Sequence, residues 1–309
     1  MTETRKDPRR LTGVGTCSKL DIPALFGPVF AEVAPDIDLL APDQVTDPGA
    51  VDFVLTFLPD EEAFRPYPNL RGIFSIGAGT DGIDACPSLP ADVPVLRVEE
   101  PDQALQMAGF AAFNVLWHHR NMANVIACQA EGRWRRRVAE LSPRARRIGV
   151  LGMGHMGKAI AKALVALGYP VAGYARRAPQ DPLPGVTYFQ AGGLEDFLAR
   201  SDILINVLPL TPETTGLIDA EFLAKLPEGA ALVHLGRGGQ VDEAALVAAI
   251  DSGQLSGASM DVFVEEPLPR EDPFWAHPKI LVTPHIASVP EFADVVRSLR
   301  ERLLRLTVG

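Results

Sequence analysis

The segment from Arg147 to Leu164 constrains the fold of this chain most. A short apolar strand, Arg147 to Leu151, runs into an Ala-rich amphipathic helix. Three glycines join them at G-x-G-x-x-G spacing: Gly152, Gly154 and Gly157. The first glycine permits a tight turn, the second lets the backbone approach a pyrophosphate, and the third lets helix and strand pack closely. The helix N-terminus at His155, Met156 and Gly157 offers N–H groups to phosphates. The pattern predicts a nicotinamide dinucleotide site; the alternative is a turn that binds nothing.

Short apolar strands alternate with helical segments along the whole chain. Before the glycines, strands are predicted at Leu11 to Cys17, Val51 to Leu58, Leu70 to Ile76 and Val93 to Val98. After them, strands are predicted at Pro170 to Tyr174, Thr187 to Phe189, Ile203 to Val207, Ala231 to Leu235, Ser256 to Met260 and Ile280 to Thr283. This alternation predicts an α/β protein with doubly wound parallel sheets.

The last amphipathic helix, Glu291 to Leu306, is too short to be a domain. We expect it to pack onto the N-terminal unit. The prediction is therefore two Rossmann-like or flavodoxin-like domains: residues 1–101 plus 290–309 bind substrate, and residues 102–289, inserted between them, bind the dinucleotide.

Composition excludes several classes of function. A net charge of −10 over 309 residues argues against nucleic acid as a partner. No apolar run approaches the roughly 20 residues that a membrane crossing requires. The charged N-terminus does not resemble a secretory signal, so we expect a cytoplasmic protein. Three scattered cysteines, Cys17, Cys86 and Cys128, and the lack of any Cys/His cluster predict reduced thiols and no metal site.

The residues after the second strand of the dinucleotide unit bear on the choice of coenzyme. An NAD site usually has an acidic residue there for the ribose 2′-hydroxyl. This chain has Ala175, Arg176 and Arg177 after Tyr174. A guanidinium pairs with a 2′-phosphate, so we expect NADP(H) to be preferred, with NAD(H) as the second choice. The alternative is that both arginines are ordinary surface charges.

Three charged residues follow predicted strands and are candidates for catalysis: Arg237, Glu266 and His285. The carboxyl ends of parallel strands meet at one edge of a sheet, so these groups can converge. Reduction of a carbonyl needs a proton donor, which suits His285, and a cation beside the substrate, which suits Arg237. Glu266 would be the partner of His285. As a bare triplet the pattern is unspecific, because surface charges explain it about as well.

The surrounding motifs make the triplet specific. They are Gly152-x-Gly154-x-x-Gly157, Leu208-Pro209-Leu210-Thr211-Pro212-Glu213-Thr214, Gly236-Arg237-Gly238, Met260-Asp261-Val262-Phe263 through Glu266-Pro267-Leu268-Pro269, Phe274-Trp275-Ala276-His277-Pro278 and Thr283-Pro284-His285. In this order they resemble the D-2-hydroxyacid dehydrogenases, above all the glyoxylate/hydroxypyruvate reductase A branch. The resemblance covers roughly Leu70 to the C-terminus.

The resemblance implies a role for each matching residue. Arg237 binds and polarises a 2-oxo acid, His285 is the general acid, and Glu266 orients His285. Asp261 contacts the nicotinamide carboxamide. Further coenzyme contacts fall on Leu208, Pro209, Thr214 and Gly236. Backbone amides around Gly77, Ala78, Gly79 and Thr80 hold the substrate carboxylate. Trp275 walls the substrate pocket, unless it is a buried core residue, and Trp134 lies in a loop that embraces a partner subunit, which implies a homodimer.

Two departures from the family pattern affect substrate preference more than the reaction. His234 stands where relatives often have asparagine, and Gly109-Phe110 replaces Glu-Tyr or Glu-His. The implied function is NADPH-dependent reduction of glyoxylate or hydroxypyruvate to a D-2-hydroxy acid. Two alternatives remain at this point: an NAD-linked dehydrogenase of a larger 2-hydroxy acid, and a non-catalytic dinucleotide sensor resembling a corepressor.

Overall fold

The computed structural model describes residues 10–97, 101–136, 142–177 and 179–306. The chain divides into two compact units, Met1–Glu100 with Val289–Gly309, and Pro101–Ser288. Every strand pair in the described residues is parallel. In sequence, the second unit is inserted between the two segments that form the first unit. The predicted α/β class with an inserted domain is confirmed.

The first unit contains a five-stranded sheet. Its strands are β1 (Leu11–Thr16), β2 (Ile37–Leu40), β3 (Phe53–Thr56), β4 (Gly72–Ser75) and β5 (Val95–Leu96), with helices α1 (Ile22–Val33) and α2 (Asp81–Asp84) between them. The strand order is β2-β1-β3-β4-β5. The sequence pattern does not predict β2, because this edge strand buries only Ile37. Val98, the predicted end of β5, lies outside the described residues.

The second unit contains a seven-stranded sheet in which the strands occur close to their predicted positions. They are β6 (Ile148–Leu151), β7 (Val171–Tyr174), β8 (Val186–Phe189), β9 (Ile203–Asn206), β10 (Ala230–His234), β11 (Leu255–Met260) and β12 (Ile280–Val282). The helices are α3 (Pro101–His119), α4 (Met122–Ala130), α5 (His155–Ala166), α6 (Leu194–Ala199), α7 (Ala220–Ala224) and α8 (Glu243–Ser252).

The strand order β12-β11-β10-β9-β6-β7-β8 defines where a ligand can bind. The chain first moves outward from β6 through β7 to β8, then crosses to β9 and continues in the opposite direction. Ligands of such sheets bind beyond the carboxyl ends of the strands where the order reverses, here between β6 and β9. The central strands β6, β9 and β10 are buried along their whole length, as expected for a covered parallel sheet.

The C-terminal helix α9 (Phe292–Leu306) belongs to the first unit. Its apolar face packs into the core beside α1, with the ring of Phe292 4.6 Å from that of Phe26. Arg300 also donates hydrogen bonds from Nε and Nη2 to the carboxylate of Asp36 at 2.9 and 3.0 Å. Among the described residues, no helix is long and apolar enough to cross a membrane.

Candidate active site

The glycine motif has the geometry that a dinucleotide requires. Gly152 adopts φ +105°, a conformation that favours glycine. A Cβ on Gly157 would lie 1.8 Å from the carbonyl oxygen of Gly152, so only glycine lets α5 begin so close to β6. A Cβ on Gly154, in contrast, would meet nothing within 4 Å. Gly154 and His155 are exposed, so the first turn of α5, at His155, Met156 and Gly157, is accessible from the side of Gly154, which fits a pyrophosphate.

The end of β7 carries exposed positive charge. Arg176 and Arg177 follow Tyr174 directly, and both are exposed. The guanidinium of Arg176 is one of the groups that lower the pKa of Glu213, after hydrogen bonds with Thr211 and the backbone. The segment Leu208–Thr214 is therefore near Arg176. Two guanidinium groups at this strand end fit a ribose 2′-phosphate better than a free hydroxyl.

The segment that follows β9 is held by its own side chains. The hydroxyl of Thr214 donates to the carbonyl of Pro209 at 2.7 Å and accepts from the N–H of Thr211 at 2.8 Å. A Cβ on Gly152 would lie 3.2 Å from the backbone nitrogen of Leu208. The segment predicted to contact the coenzyme thus packs directly against the glycine motif.

His285 and Glu266 form the pair that the sequence predicts. Nδ1 of His285 lies 2.8 Å from Oε2 of Glu266. Because an ionised carboxylate only accepts hydrogen bonds, Nδ1 carries the proton in this pair. In the part of the chain that the structure describes, Nε2 of His285 has no hydrogen-bond partner, and 36% of the side chain is exposed. Nε2 is therefore the ring atom available to a ligand.

The carboxyl of Glu266 is kept ionised by its neighbours. Burial by itself raises its pKa, but hydrogen bonds with His285 and with the N–H of Phe263 at 2.9 Å outweigh burial. The nearby charge of Arg237 lowers the pKa further, so the net pKa is below the usual value. Arg237 is thus close enough to influence Glu266, and the three predicted catalytic residues share one electrostatic environment.

Close packing of backbone brings Arg237 and Glu266 together. Arg237 follows β10 and lies beside Gly238, where a Cβ would be 1.9 Å from the carbonyl carbon of Phe263. The strand-end segment of Arg237 therefore packs on the segment that leads to Glu266. Nη1 of Arg237 donates to the carbonyl of Gly236 at 2.9 Å, and the side chain is partly exposed.

Asp261 holds the backbone around His285. Its buried carboxylate accepts hydrogen bonds from Thr283 Oγ1 at 2.7 Å, from Ile286 N at 3.0 Å and from Ala287 N at 2.9 Å. His285 itself adopts φ +54°, a strained conformation for a residue with a side chain. Asp261 thereby fixes the position of the imidazole, whereas the carboxamide contact implied by the family stays a prediction.

Sequence reasoning missed Asn206 and Gln240 beneath Arg237, and it noted His234 only as a departure that affects substrate preference. Asn206 ends β9, His234 ends β10 and Gln240 follows Arg237 by three residues; all three are buried. Their hydrogen bonds reach both the backbone of Arg237 and the carbonyls of Leu208 and Pro209. The available signal was the presence of polar residues at the ends of fully apolar strands.

In the first unit, the segment after β4 is shaped by Ser75. Its hydroxyl donates to the carbonyl of Gly79 at 2.7 Å and accepts from the N–H of Gly77 at 3.2 Å. The amide of Gly77 is therefore used internally. Within the described residues, the backbone N–H groups of Ala78, Gly79 and Thr80 have no hydrogen-bond partner, which fits a site for an anion.

The side chains of Trp275, His118 and His119 have different surroundings. The indole of Trp275 donates to the carbonyl of Pro269 at 2.9 Å and is 53% exposed, so Trp275 is not a core residue. His118 contacts Ser259 Oγ at 2.9 Å, whereas the adjacent His119 contacts the hydroxyl of Tyr169 at 2.8 Å. The described residues contain no group of three or more His, Cys, Asp or Glu side chains that is able to hold a metal ion.

Comparisons with known proteins show the family to which this chain belongs. Residues 113–287 match the model of the D-isomer specific 2-hydroxyacid dehydrogenase NAD-binding domain. The glyoxylate/hydroxypyruvate reductase A of Salmonella typhi is 36% identical over 272 residues, 86% of each chain. A D-isomer specific 2-hydroxyacid dehydrogenase from Xanthobacter autotrophicus Py2, solved with NADPH and MES, is 38% identical with a TM-score of 0.90, covering 97% of this chain and 96% of that one.

A second solved structure gives the same result. The NADPH-dependent glyoxylate/hydroxypyruvate reductase of Sinorhizobium meliloti, in complex with NADP and sulfate, is 30% identical with a TM-score of 0.90, again over 97% of this chain and 96% of that one. The chain belongs to the D-isomer-specific 2-hydroxyacid dehydrogenase family. It is therefore an oxidoreductase that uses a nicotinamide dinucleotide, and the resemblance stated from the motifs is confirmed.

Proposed function

We propose that this protein reduces small 2-oxo acids, such as glyoxylate and hydroxypyruvate, to D-2-hydroxy acids with NADPH. The observation that carries the proposal is the 2.8 Å contact between His285 Nδ1 and Glu266 Oε2, which leaves Nε2 of His285 open to a ligand. The relatives at 36% and 30% identity, which are named as glyoxylate/hydroxypyruvate reductases, support the same substrate class.

The residues supply what carbonyl reduction needs besides the hydride. Bound NADPH provides the hydride, which goes to the carbonyl carbon of the substrate. Nε2 of His285 gives a proton to the carbonyl oxygen as negative charge develops there, while Glu266 stabilises the ring in the orientation and charge state required. The guanidinium of Arg237 binds the substrate and polarises its carbonyl. Overall, one hydride and one proton add across the C=O bond.

The substrate carboxylate is assigned to the segment Gly77–Thr80. Support comes from the unpartnered N–H groups of Ala78, Gly79 and Thr80, which are the kind of donors that bind a carboxylate. Such donors suit the carboxylate of a small 2-oxo acid. Trp275, exposed and fixed by its indole hydrogen bond, is the aromatic wall that we assign to the substrate.

NADPH is proposed over NADH because of the end of β7. Arg176 and Arg177 are exposed there and the acidic residue typical of NAD sites is absent. Two related structures contain NADPH or NADP. We assign the pyrophosphate to the amides of His155, Met156 and Gly157. The three cysteines are free, which is consistent with the cytoplasm as the proposed compartment.

The test is an assay of purified protein with a panel of 2-oxo acids and both coenzymes. We expect glyoxylate and hydroxypyruvate to be turned over with NADPH, with a kcat/KM at least about tenfold above that with NADH. Chiral chromatography of the reduced hydroxypyruvate should give the D-isomer. Preference for NADH and a larger acid would favour the NAD-linked alternative, and coenzyme binding without turnover of any acid would favour the non-catalytic sensor.

A homodimer through α3 and α4 is also proposed. The exposed side of α3 carries Leu105, Phe113 and Leu116, and α4 adds Val125 and Ile126; all five are more than 40% exposed. Trp134 is 97% exposed just beyond α4. A cluster of exposed, large apolar side chains suits contact with a second copy of the chain. Sedimentation should show a dimer that Phe113→Lys converts to monomer; a monomeric parent protein would contradict this.

A further inference from the structure

The buried polar side chains under Arg237 form a closed network. Asn206, His234 and Gln240 are at most 1% exposed. Burial of three such groups is costly unless their hydrogen bonds are made. The described contacts account for both nitrogens of the histidine and for both side-chain atoms of each amide. The three side chains are therefore held in defined positions by hydrogen bonds.

His234 contacts the carbonyl side of Arg237. Its Nε2 lies 3.0 Å from the Arg237 carbonyl oxygen, and its Nδ1 lies 3.0 Å from Nδ2 of Asn206. A carbonyl only accepts, so Nε2 carries the proton and Nδ1 accepts from Asn206. The ring is neutral in this arrangement, and burial lowers its pKa to about 4. His234 therefore does not exchange protons during turnover near neutral pH.

Gln240 contacts the amide side of Arg237. Its Oε1 accepts from the N–H of Arg237 at 2.9 Å and from Nδ2 of Asn206 at 2.9 Å. Its Nε2 donates to the carbonyls of Leu208 at 3.2 Å and Pro209 at 2.9 Å. Both backbone polar groups of Arg237 are thus held by the network, which also holds the segment assigned to the coenzyme.

We propose that His234 is a positioning residue for Arg237, acting through the network it forms with Asn206 and Gln240, and that this network couples the Arg237 backbone to Leu208 and Pro209. The proposal rests on the proposed function, in which Arg237 binds the 2-oxo acid.

The primary test compares His234→Leu with wild type. Leucine has a similar volume but removes both hydrogen bonds, so the Arg237 carbonyl loses this donor and Asn206 loses one of its partners. We expect the KM for glyoxylate to rise about tenfold or more, with a smaller fall in kcat. NADPH affinity, measured by fluorescence titration without substrate, should weaken about threefold because Leu208 and Pro209 loosen. His234→Gln, which restores a donor, should recover most of the KM.

A matched control separates positioning from general destabilisation. His119 is also buried and also makes a side-chain hydrogen bond, but on α3 and to Tyr169. His119→Leu should lower the melting temperature without the change in KM. In an Arg237→Lys background, His234→Leu should have little further effect on kcat/KM, because the group it positions is already altered.

The outcomes distinguish the two proposals. Independent, multiplicative effects of the two substitutions, or equal KM changes in the His119 control, would overturn the positioning role. An unchanged KM and unchanged NADPH affinity in His234→Leu would overturn it as well. If the wild-type protein reduces no 2-oxo acid, the proposed function fails, and the fluorescence titration alone then decides whether the network supports the coenzyme segment.

Discussion

His234 and His285 stand at the same edge of the seven-stranded sheet in opposite environments. His234 is fully buried at the end of β10 and bonds only neutral protein groups. His285, after β12, is over one-third exposed and bonds the ionised Glu266. A fully buried histidine with neutral partners can support the backbone, whereas one with a carboxylate partner and an open nitrogen can transfer a proton. The surroundings of the ring, not the residue type, decide its role.

Removal of the His285 side chain should have the largest effect on activity. For His285→Ala we expect kcat with glyoxylate and NADPH to fall roughly 10²- to 10⁴-fold, because the proton donor is lost. Melting temperature and NADPH affinity should stay near the wild-type values, since the side chain is partly exposed. His277→Ala, which removes a histidine paired with the exposed Asp251, is the control that keeps full kcat. A kcat within twofold of wild type in His285→Ala would contradict the role of His285 as proton donor, and with it the difference in role between His285 and His234.

The free energy of unfolding should fall at acid pH because His234 is buried in its neutral form. The pKa of this ring is lowered from 6.5 to about 4 by burial, so the unfolded chain binds more protons than the folded one between these values. Stability contributed by the neutral ring is complete above pH 6.5 and is lost as the pH falls, by about 3 kcal/mol at pH 4. Urea unfolding at several pH values measures this loss.

The control for the acid measurement is a neighbouring apolar residue. His234→Leu should flatten the pH dependence, whereas Val233→Ala, equally buried, should lower stability to the same extent at every pH. His118 also has its pKa lowered by burial, but it is half-buried, so water should reduce its contribution. An unchanged slope in His234→Leu would show that the buried ring is not what acid disrupts.

The backbone support of His285 can be tested through Asp261. In Asp261→Asn one carboxylate oxygen becomes an NH₂ group. If that group takes the place of Oδ2, it faces the N–H of Ala287; if it takes the place of Oδ1, the bonds accepted from Thr283 and Ile286 are lost. We expect a loss of about 1–3 kcal/mol in unfolding free energy and about tenfold in kcat, because His285 leaves its strained position. Asp242→Asn, at the start of α8, is a control in which the cap to Ala245 is largely kept. Full activity in Asp261→Asn would argue against this support.

The smallest effect is expected at the end of β7, where we propose that the exposed arginines contact the coenzyme. Arg176→Ser combined with Arg177→Ser should raise the KM for NADPH about tenfold and leave the KM for NADH nearly unchanged. Replacement of the exposed Arg144, elsewhere in this unit, by Ser is the control. Equal changes for both coenzymes would show that the pair does not contact the 2′-phosphate.

The sequence predicted most of this arrangement because its signals are local. The glycine spacing, the apolar strands and the charged residues directly after β10 and β12 each depend on a few adjacent positions. The sequence pattern did not predict strand β2, because this strand buries only one residue. The sequence did not predict the contact between Asn206 and Gln240, because these two residues are 34 positions apart along the chain and meet only after β9 and β10 pair. The contact between His234 and the Arg237 carbonyl likewise depends on the tertiary structure and could not be predicted from the sequence.

The most direct test of the account is a crystal structure of the protein with NADP and oxamate, an unreactive analogue of a 2-oxo acid. The expected result places the oxamate carbonyl oxygen within hydrogen-bond distance of both Nε2 of His285 and the guanidinium of Arg237, with Nδ1 of His285 still bonded to Glu266. Oxamate bound elsewhere in a complex with NADP, with Nε2 of His285 facing solvent, would contradict the proposed proton donor.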